Sequence, residues 1–126
     1  MDTFQNCLFV AIGGAVGAVS RYLIGLIPFR HGSDFPINTL LINIAGAFLI
    51  GLIVALTTKN IINDPHTVLL LKTGVCGGFT TFSTFSLESG QLLQKGRPIA
   101  GFLYISLSVI LCISAVFAAQ SLINRT

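Results

Sequence analysis

Charge is scarce in this sequence. Asp, Glu, Lys and Arg together make up 9% of its 126 residues, where soluble domains carry roughly a quarter. With 53% hydrophobic residues and a mean hydropathy of +0.88, the chain is too apolar for a soluble domain. Acids are the scarcest: Asp2, Asp34, Asp64 and Glu88 are all there are, and no two sit at short spacing. General acid–base chemistry by paired carboxylates therefore has no residues to work with. There is no phosphate-cradling glycine loop and no Trp. The three cysteines, Cys7, Cys76 and Cys112, lie in apolar stretches without metal-ligand spacing and read as small buried hydrophobes. His31 and His66 fall in predicted loops. The seven Lys and Arg are scattered, so the net charge of +3 does not point to nucleic acid. Asp2 stands where a signal peptide carries basic residues, and the first apolar run is expected to be a retained span.

What the chain has in abundance is apolar length. A membrane span needs about 20 mostly apolar residues. Four stretches qualify, at about 4–27, 38–56, 67–88 and 99–123. Short loops with turn residues join them, including Pro28, Gly32 and Pro36, then Asn60 and Pro65, then Gly96 and Pro98. The expected fold class is an all-α membrane protein, one four-span domain over residues 1–126. Four spans put both termini on one side. Lys59 and Arg125, with Lys72, then oppose Arg30, Lys95 and Arg97, with Arg21. So even a balance gives no strong orientation signal and permits copies inserted both ways and paired antiparallel. Four thin helices do not readily enclose a conduit, so oligomerisation is expected on size grounds. Gly13, Gly14 and Gly17 in the first span, and Gly46 and Gly51 in the second, mark close helix packing.

The third span carries the most information. Gly74-Val75-Cys76-Gly77-Gly78-Phe79-Thr80-Thr81-Phe82-Ser83-Thr84-Phe85-Ser86 places three glycines within five residues, then hydroxyls, with phenylalanines three apart. That pattern is expected to break the helix at membrane depth. Non-helical backbone there is tolerated only inside protein or along a wet cavity, and it marks ion and substrate sites. Unwound carbonyls at Gly77 to Thr80 would suit a small cation. Phe82 and Phe85 share a face, and an aromatic ring has a positive edge that stabilises an anion. Asn43, with Thr39 one turn before it, reads equally as an interhelical hydrogen bond or as a path-lining donor. Tyr104, Ser108 and Cys112 form one stripe at i, i+4, i+8 in the fourth span. Each serine alone fits bonding to its own backbone. Arg21 fits snorkelling or a charge near an ion entrance, and Glu88 fits equally a partner for Arg21 or Lys72 and an interfacial charge with no special role.

Taken together, these residues resemble the Fluc (CrcB) family of fluoride channels along essentially the whole chain. Gly13-Gly14 followed by Arg21, Asn43-x-x-Gly46 and the long Gly77–Ser86 motif carry the likeness. The resemblance implies a passive fluoride channel of the bacterial inner membrane, built as an antiparallel dual-topology homodimer with two pores. It also implies a structural sodium ion at the dimer centre, held by main-chain carbonyls of Gly77 and Thr80. By the same resemblance Phe82 and Phe85 present ring edges to fluoride, and Asn43 is a pore-lining donor. Tyr104 and Ser108 line the fourth-helix side, Thr39 and Arg21 belong to the pathway, and membrane lipid surrounds the dimer. Cys112 stands where a serine can follow Ser108, and a thiol is the weaker donor. A rival class is a proton-coupled exporter of the small multidrug type. It needs a carboxylate in the first span, where this chain has only Arg21. A non-transporting assembly protein would need packing motifs but no polar track.

Overall fold

The computed structural model describes residues 2–29 and 32–126. Arg30 and His31, counted above among the loop residues, lie outside the described residues. Four helical segments are long and apolar enough to cross a membrane: Thr3–Gly25, Ile37–Thr58, Pro65–Gln94 and Pro98–Asn124. The third runs six residues past the expected end at Glu88, because the helix stops only where Gly96 turns at φ 72°. Outward-facing Phe4, Leu8, Ile12, Val16, Val19 and Leu23 leave the first span with an apolar exterior, as lipid contact requires.

The first two spans are regular: α1 (Thr3–Gly25) and α2 (Ile37–Thr58). The third is composite. It comprises α3 (Pro65–Val68), a π-helical stretch (Leu69–Cys76), α4 (Gly77–Phe79) and α5 (Phe82–Gln94). Asp64 caps its start, with Oδ2 accepting from the Thr67 N–H at 2.8 Å and the Thr67 hydroxyl at 2.6 Å. Those bonds hold the Asp64 carboxyl below its ordinary range. The fourth span is α6 (Pro98–Asn124), with Pro98 in the first turn, where a missing N–H costs nothing.

Helix α2 packs along α6, and α1 packs against the π-helical stretch and α4. The second contact explains the glycines. A Cβ added at Gly74 would lie 2.7 Å from the Gly13 Cα, and one at Gly78 would lie 2.5 Å from the Gly14 carbonyl oxygen. Backbone meets backbone at this crossing, so only Gly fits. Gly74 and Gly78 of the third span therefore serve packing. Gly77 itself is helical, at φ −64° and ψ −37°. The backbone leaves the helical region at the threonines instead: Thr80 (φ −80°, ψ 155°) and Thr81 (φ −146°, ψ 111°) are extended, and the span bends there.

Candidate functional site

Two extended residues inside a membrane span expose backbone groups that lipid cannot satisfy. Asn43 satisfies those of Thr81. Its Oδ1 accepts from the Thr81 N–H at 2.8 Å, and its Nδ2 donates to the Thr81 carbonyl at 3.2 Å. The Thr81 hydroxyl in turn accepts from the Thr84 N–H at 3.1 Å, capping α5. These capture two donors that an uninterrupted helix would send to the carbonyls of Gly77 and Thr80. Both carbonyls are left without their helical donors, and Gly77 faces open space, with no atom within 4 Å of the position a Cβ would take. Free carbonyl oxygens are hard donors, which fits sodium and not a soft metal. Among the described residues no three His, Cys, Asp or Glu side chains gather as metal ligands.

The bend opens one side of a groove of about 410 Å³. Asn43 and Gly46 line it from α2, Thr80, Phe82 and Phe85 from the third span, and Ser108 and Cys112 from α6. Its surface is mostly apolar, with polar groups at a few points. The Phe82 and Phe85 rings lie 5.5 Å apart, and Phe85 lies 5.3 Å from Tyr104. Phe82 is 79% exposed. Tyr104 and Ser108 are buried, one helical turn apart, and neither Tyr104 Oη nor Ser108 Oγ has a hydrogen-bond partner among the described residues. Ser108 thus does not bond back to its own helix, as Ser89 does to the Phe85 carbonyl at 2.7 Å. Two buried hydroxyls without partners are uncommon and call for a ligand or water.

Thr39 and Arg21 lie elsewhere. They line a second, smaller cavity of about 310 Å³ with Asn38, Thr81 and Thr84. Of the partners weighed for Glu88, neither Arg21 nor Lys72 is the one it bonds. Arg21 Nε donates to the Gly78 carbonyl at 3.1 Å, while Glu88 accepts from the Thr39 hydroxyl at 2.6 Å. The crossing of α2 with α5 brings Thr39 to Glu88, whereas α1 packs on α4 and brings Arg21 there. The Tyr104 hydroxyl lies beside the Thr39–Glu88 pair without bonding geometry to it. Lys72 is exposed on the π-helical stretch.

Asn38 is a residue that the sequence reading missed. Its Nδ2 reaches the carbonyls of Ile24 (3.2 Å), Gly25 (3.2 Å) and Ile27 (2.7 Å), closing the C-terminus of α1 beside Arg21. An Asn two residues after a Pro at a helix start was the available signal, though it does not reveal which helix end is capped.

The sequence model of the family described as "CrcB-like protein, Camphor Resistance (CrcB)" matches residues 8–120. Over 120 residues the chain is 46% identical to the "Fluoride-specific ion channel FluC" of Shewanella woodyi, covering 94% of this chain and 96% of that protein. The protein of the same name from Ruminiclostridium cellulolyticum is 46% identical over 123 residues, covering 97% of this chain and 95% of its own. That of Agrobacterium fabrum is 46% identical over 118 residues, with 93% and 94% covered. These relatives are named as channels, not enzymes. With four apolar spans and a match along nearly its whole length, the chain belongs to the CrcB-like family and is a multi-pass membrane protein.

Proposed function

We propose that this protein is a fluoride-selective passive ion channel of the bacterial inner membrane, working as an antiparallel homodimer with two pores. The observation that carries this reading is the groove in which Phe82, Phe85, Ser108 and the carboxamide of Asn43 converge. A small, hard anion needs donors that do not hold it too tightly. Ring edges of Phe82 and Phe85 offer partial positive charge. Ser108 in the groove, and Tyr104 one turn before it on α6, offer hydroxyl donors. The second N–H of the Asn43 amide remains for the ion once the first has gone to Thr81. Among the described residues that line the groove none carries a full positive charge, so the anion is not held too tightly there.

A groove with a ring as exposed as Phe82 suits closure by a second copy. A two-fold interface uses the same patch on both subunits, so one closure makes two equivalent pathways. The free carbonyls of Gly77 and Thr80 would hold the sodium ion, which when bound supplies a fixed positive charge at the centre. Arg21, over the Gly78 carbonyl, and Thr39, bonded to Glu88, flank the pathway from the second cavity. Hydrogen fluoride crosses membranes as a neutral weak acid and dissociates in the less acidic interior. A passive channel lets the trapped ion leave down its gradient.

Efflux from liposomes holding the purified protein tests the reading. Fast fluoride efflux without chloride leak is expected. Loss of neither ion from vesicles containing folded dimer would overturn it.

A further inference from the structure

A Cβ built on Gly46 would overlap Thr80 Cγ2 and lie 3.2 Å from Cδ1 of the Phe79 ring. Gly46 is buried on α2, so the Thr80 methyl fills the notch left by its missing side chain. The other branch of Thr80 is held as well. Its Oγ1 donates to the Cys76 carbonyl at 2.9 Å, beside the Thr80 N–H, which donates to the same oxygen at 3.1 Å. Thr80 is β-branched, so its methyl and hydroxyl turn together about χ1. The methyl cannot leave the notch without taking the hydroxyl off Cys76. Thr80 is thereby pinned at both branches just where the third span turns extended, at ψ 155°. The peptide that follows is pinned from the same helix. The Thr81 N–H goes to Asn43 Oδ1 at 2.8 Å. In a trans peptide the N–H and C=O point opposite ways, and among the described residues no peptide bond is cis. The Thr80 carbonyl is therefore turned away from Asn43, and its helical donor, the Thr84 N–H, is taken by Thr81 Oγ1. Asn43 and Gly46 are three apart on α2, neighbours on one helix face. Two anchors on that face thus flank the peptide that bears the Thr80 carbonyl.

We propose that Gly46 is a positioning residue for the Thr80 carbonyl. Its notch seats the Thr80 methyl, and with Asn43 it makes α2 a two-point clamp that aims this carbonyl for sodium. The interlock is read from geometry alone. Its effect on ion binding rests on the sodium site proposed above.

Moving the methyl across the contact tests the interlock. Gly46→Ala adds a methyl where that of Thr80 sits, and Thr80→Ser removes the latter while keeping the hydroxyl. Melting temperature in detergent, read over a series of sodium concentrations, is compared for wild type, both single variants and the double variant. Gly46→Ala is expected to melt well below wild type, and adding Thr80→Ser should recover most of the loss. Gly46→Ala with Thr80→Val should not recover, because valine keeps a methyl in the notch. Losing a group that orients a metal ligand weakens metal binding about 10- to 100-fold. The sodium concentration at which stabilisation sets in should therefore rise about tenfold or more in Gly46→Ala and return near the wild-type value in the double variant with Thr80→Ser. Additive losses, with no recovery in that double variant, overturn the interlock. Should Gly46→Ala not fold, a folded double variant supports the interlock and an unfolded one overturns it. Thr80→Ser alone, which empties the notch, then supplies the sodium reading, and a raised onset is expected. Recovery of the melting temperature while the single variants keep the wild-type sodium onset retains the interlock and overturns the aiming of the carbonyl. A wild-type protein indifferent to sodium removes the sodium site itself and the aiming with it, while the recovery still decides the interlock.

Discussion

Asn43 and Thr81 are joined by two hydrogen bonds, one in each direction, between a single side chain and a single backbone residue. A carboxamide offers an acceptor and a donor side by side without needing to titrate. The sequence left Asn43 equally poised between an interhelical bond and a path-lining donor. The geometry commits its Oδ1 and one N–H to the first and leaves the other N–H for the second. Asn43→Ala would strand an N–H and a C=O of the bend, at a cost on the order of 3 kcal/mol. Asn43→Asp keeps the acceptor, but when ionised it buries a charge and sets a carboxylate oxygen against the Thr81 carbonyl, so it should be no milder than Ala. Thermal unfolding in detergent should place wild type above both variants. An Ala variant as stable as wild type would show that the bend holds without the clamp.

The two phenylalanines should separate stability from flux. Phe82 is 79% exposed, whereas Phe85 packs on Tyr104. Ring-edge contacts are worth about 1 kcal/mol, which is roughly five- to tenfold in a rate or binding constant. Fluoride efflux should fall by about that factor in both Phe82→Ile and Phe85→Ile. The melting temperature should fall mainly in Phe85→Ile. Wild-type efflux in both variants would sink the ring-edge role.

Sodium should stabilise the assembly. An ion bound only by the folded dimer adds stability that grows with the logarithm of its concentration. Replacing sodium by a large organic cation should lower the melting temperature or the dimer fraction, and adding sodium back should restore it. Indifference to the exchange after exhaustive washing would argue against the Gly77 and Thr80 carbonyls as ligands.

Hydropathy alone marks the four spans, because about 20 apolar residues have few other uses. The stripe of Tyr104, Ser108 and Cys112 was legible too, since helical period puts i and i+4 on one face. Gly13 and Gly17 were legible as packing residues and are buried at the crossing. What was hidden depends on how helices cross. Glu88 goes to Thr39 rather than Arg21 because of which helices touch, and no spacing encodes that. Three glycines suggested where the third span yields. The yielding residues are Thr80 and Thr81, because Asn43, distant in sequence, compensates the backbone there and nowhere else. The π-helical Leu69–Cys76 has no local signature, since its composition suits an α-helix equally.

Asp64 gives a local pH dependence outside the membrane. Its bonds from Thr67, the side-chain hydroxyl first and then the backbone N–H, lower its pKa from the ordinary 3.8, and nearby His66 adds to this. A depressed carboxyl contributes stability above its unfolded pKa and loses it as pH falls through the folded one. The first turn of the third span should therefore hold at neutral pH and fray in acid below the ordinary carboxylate range. Hydrogen exchange at Thr67 and Val68 should rise there. Asp64→Ala should show raised exchange at every pH and no acid step. A step that survives in this variant would assign the effect to another group.

Gly74 and Gly77 make opposite predictions although they are three residues apart. At Gly74 an added methyl would meet the Gly13 Cα at 2.7 Å and the Val10 carbonyl oxygen at 3.1 Å. Neither can rotate away, so Gly74→Ala must push α1 off the third span, at about 1–3 kcal/mol. At Gly77 nothing lies within 4 Å, and the backbone is helical. Ala there should favour the helix by about 1 kcal/mol. Judged on one chain alone, Gly77→Ala is neutral or stabilising. If the open face of Gly77 meets a second copy and its carbonyl meets sodium, the same change weakens dimerisation and the sodium response while each chain stays folded. Dimer fraction, melting temperature and sodium dependence measured together on both variants separate the cases. Intact dimers with a normal sodium response in Gly77→Ala would take Gly77 out of the interface. Loss of both, with helicity unchanged, would put it at the centre of the assembly.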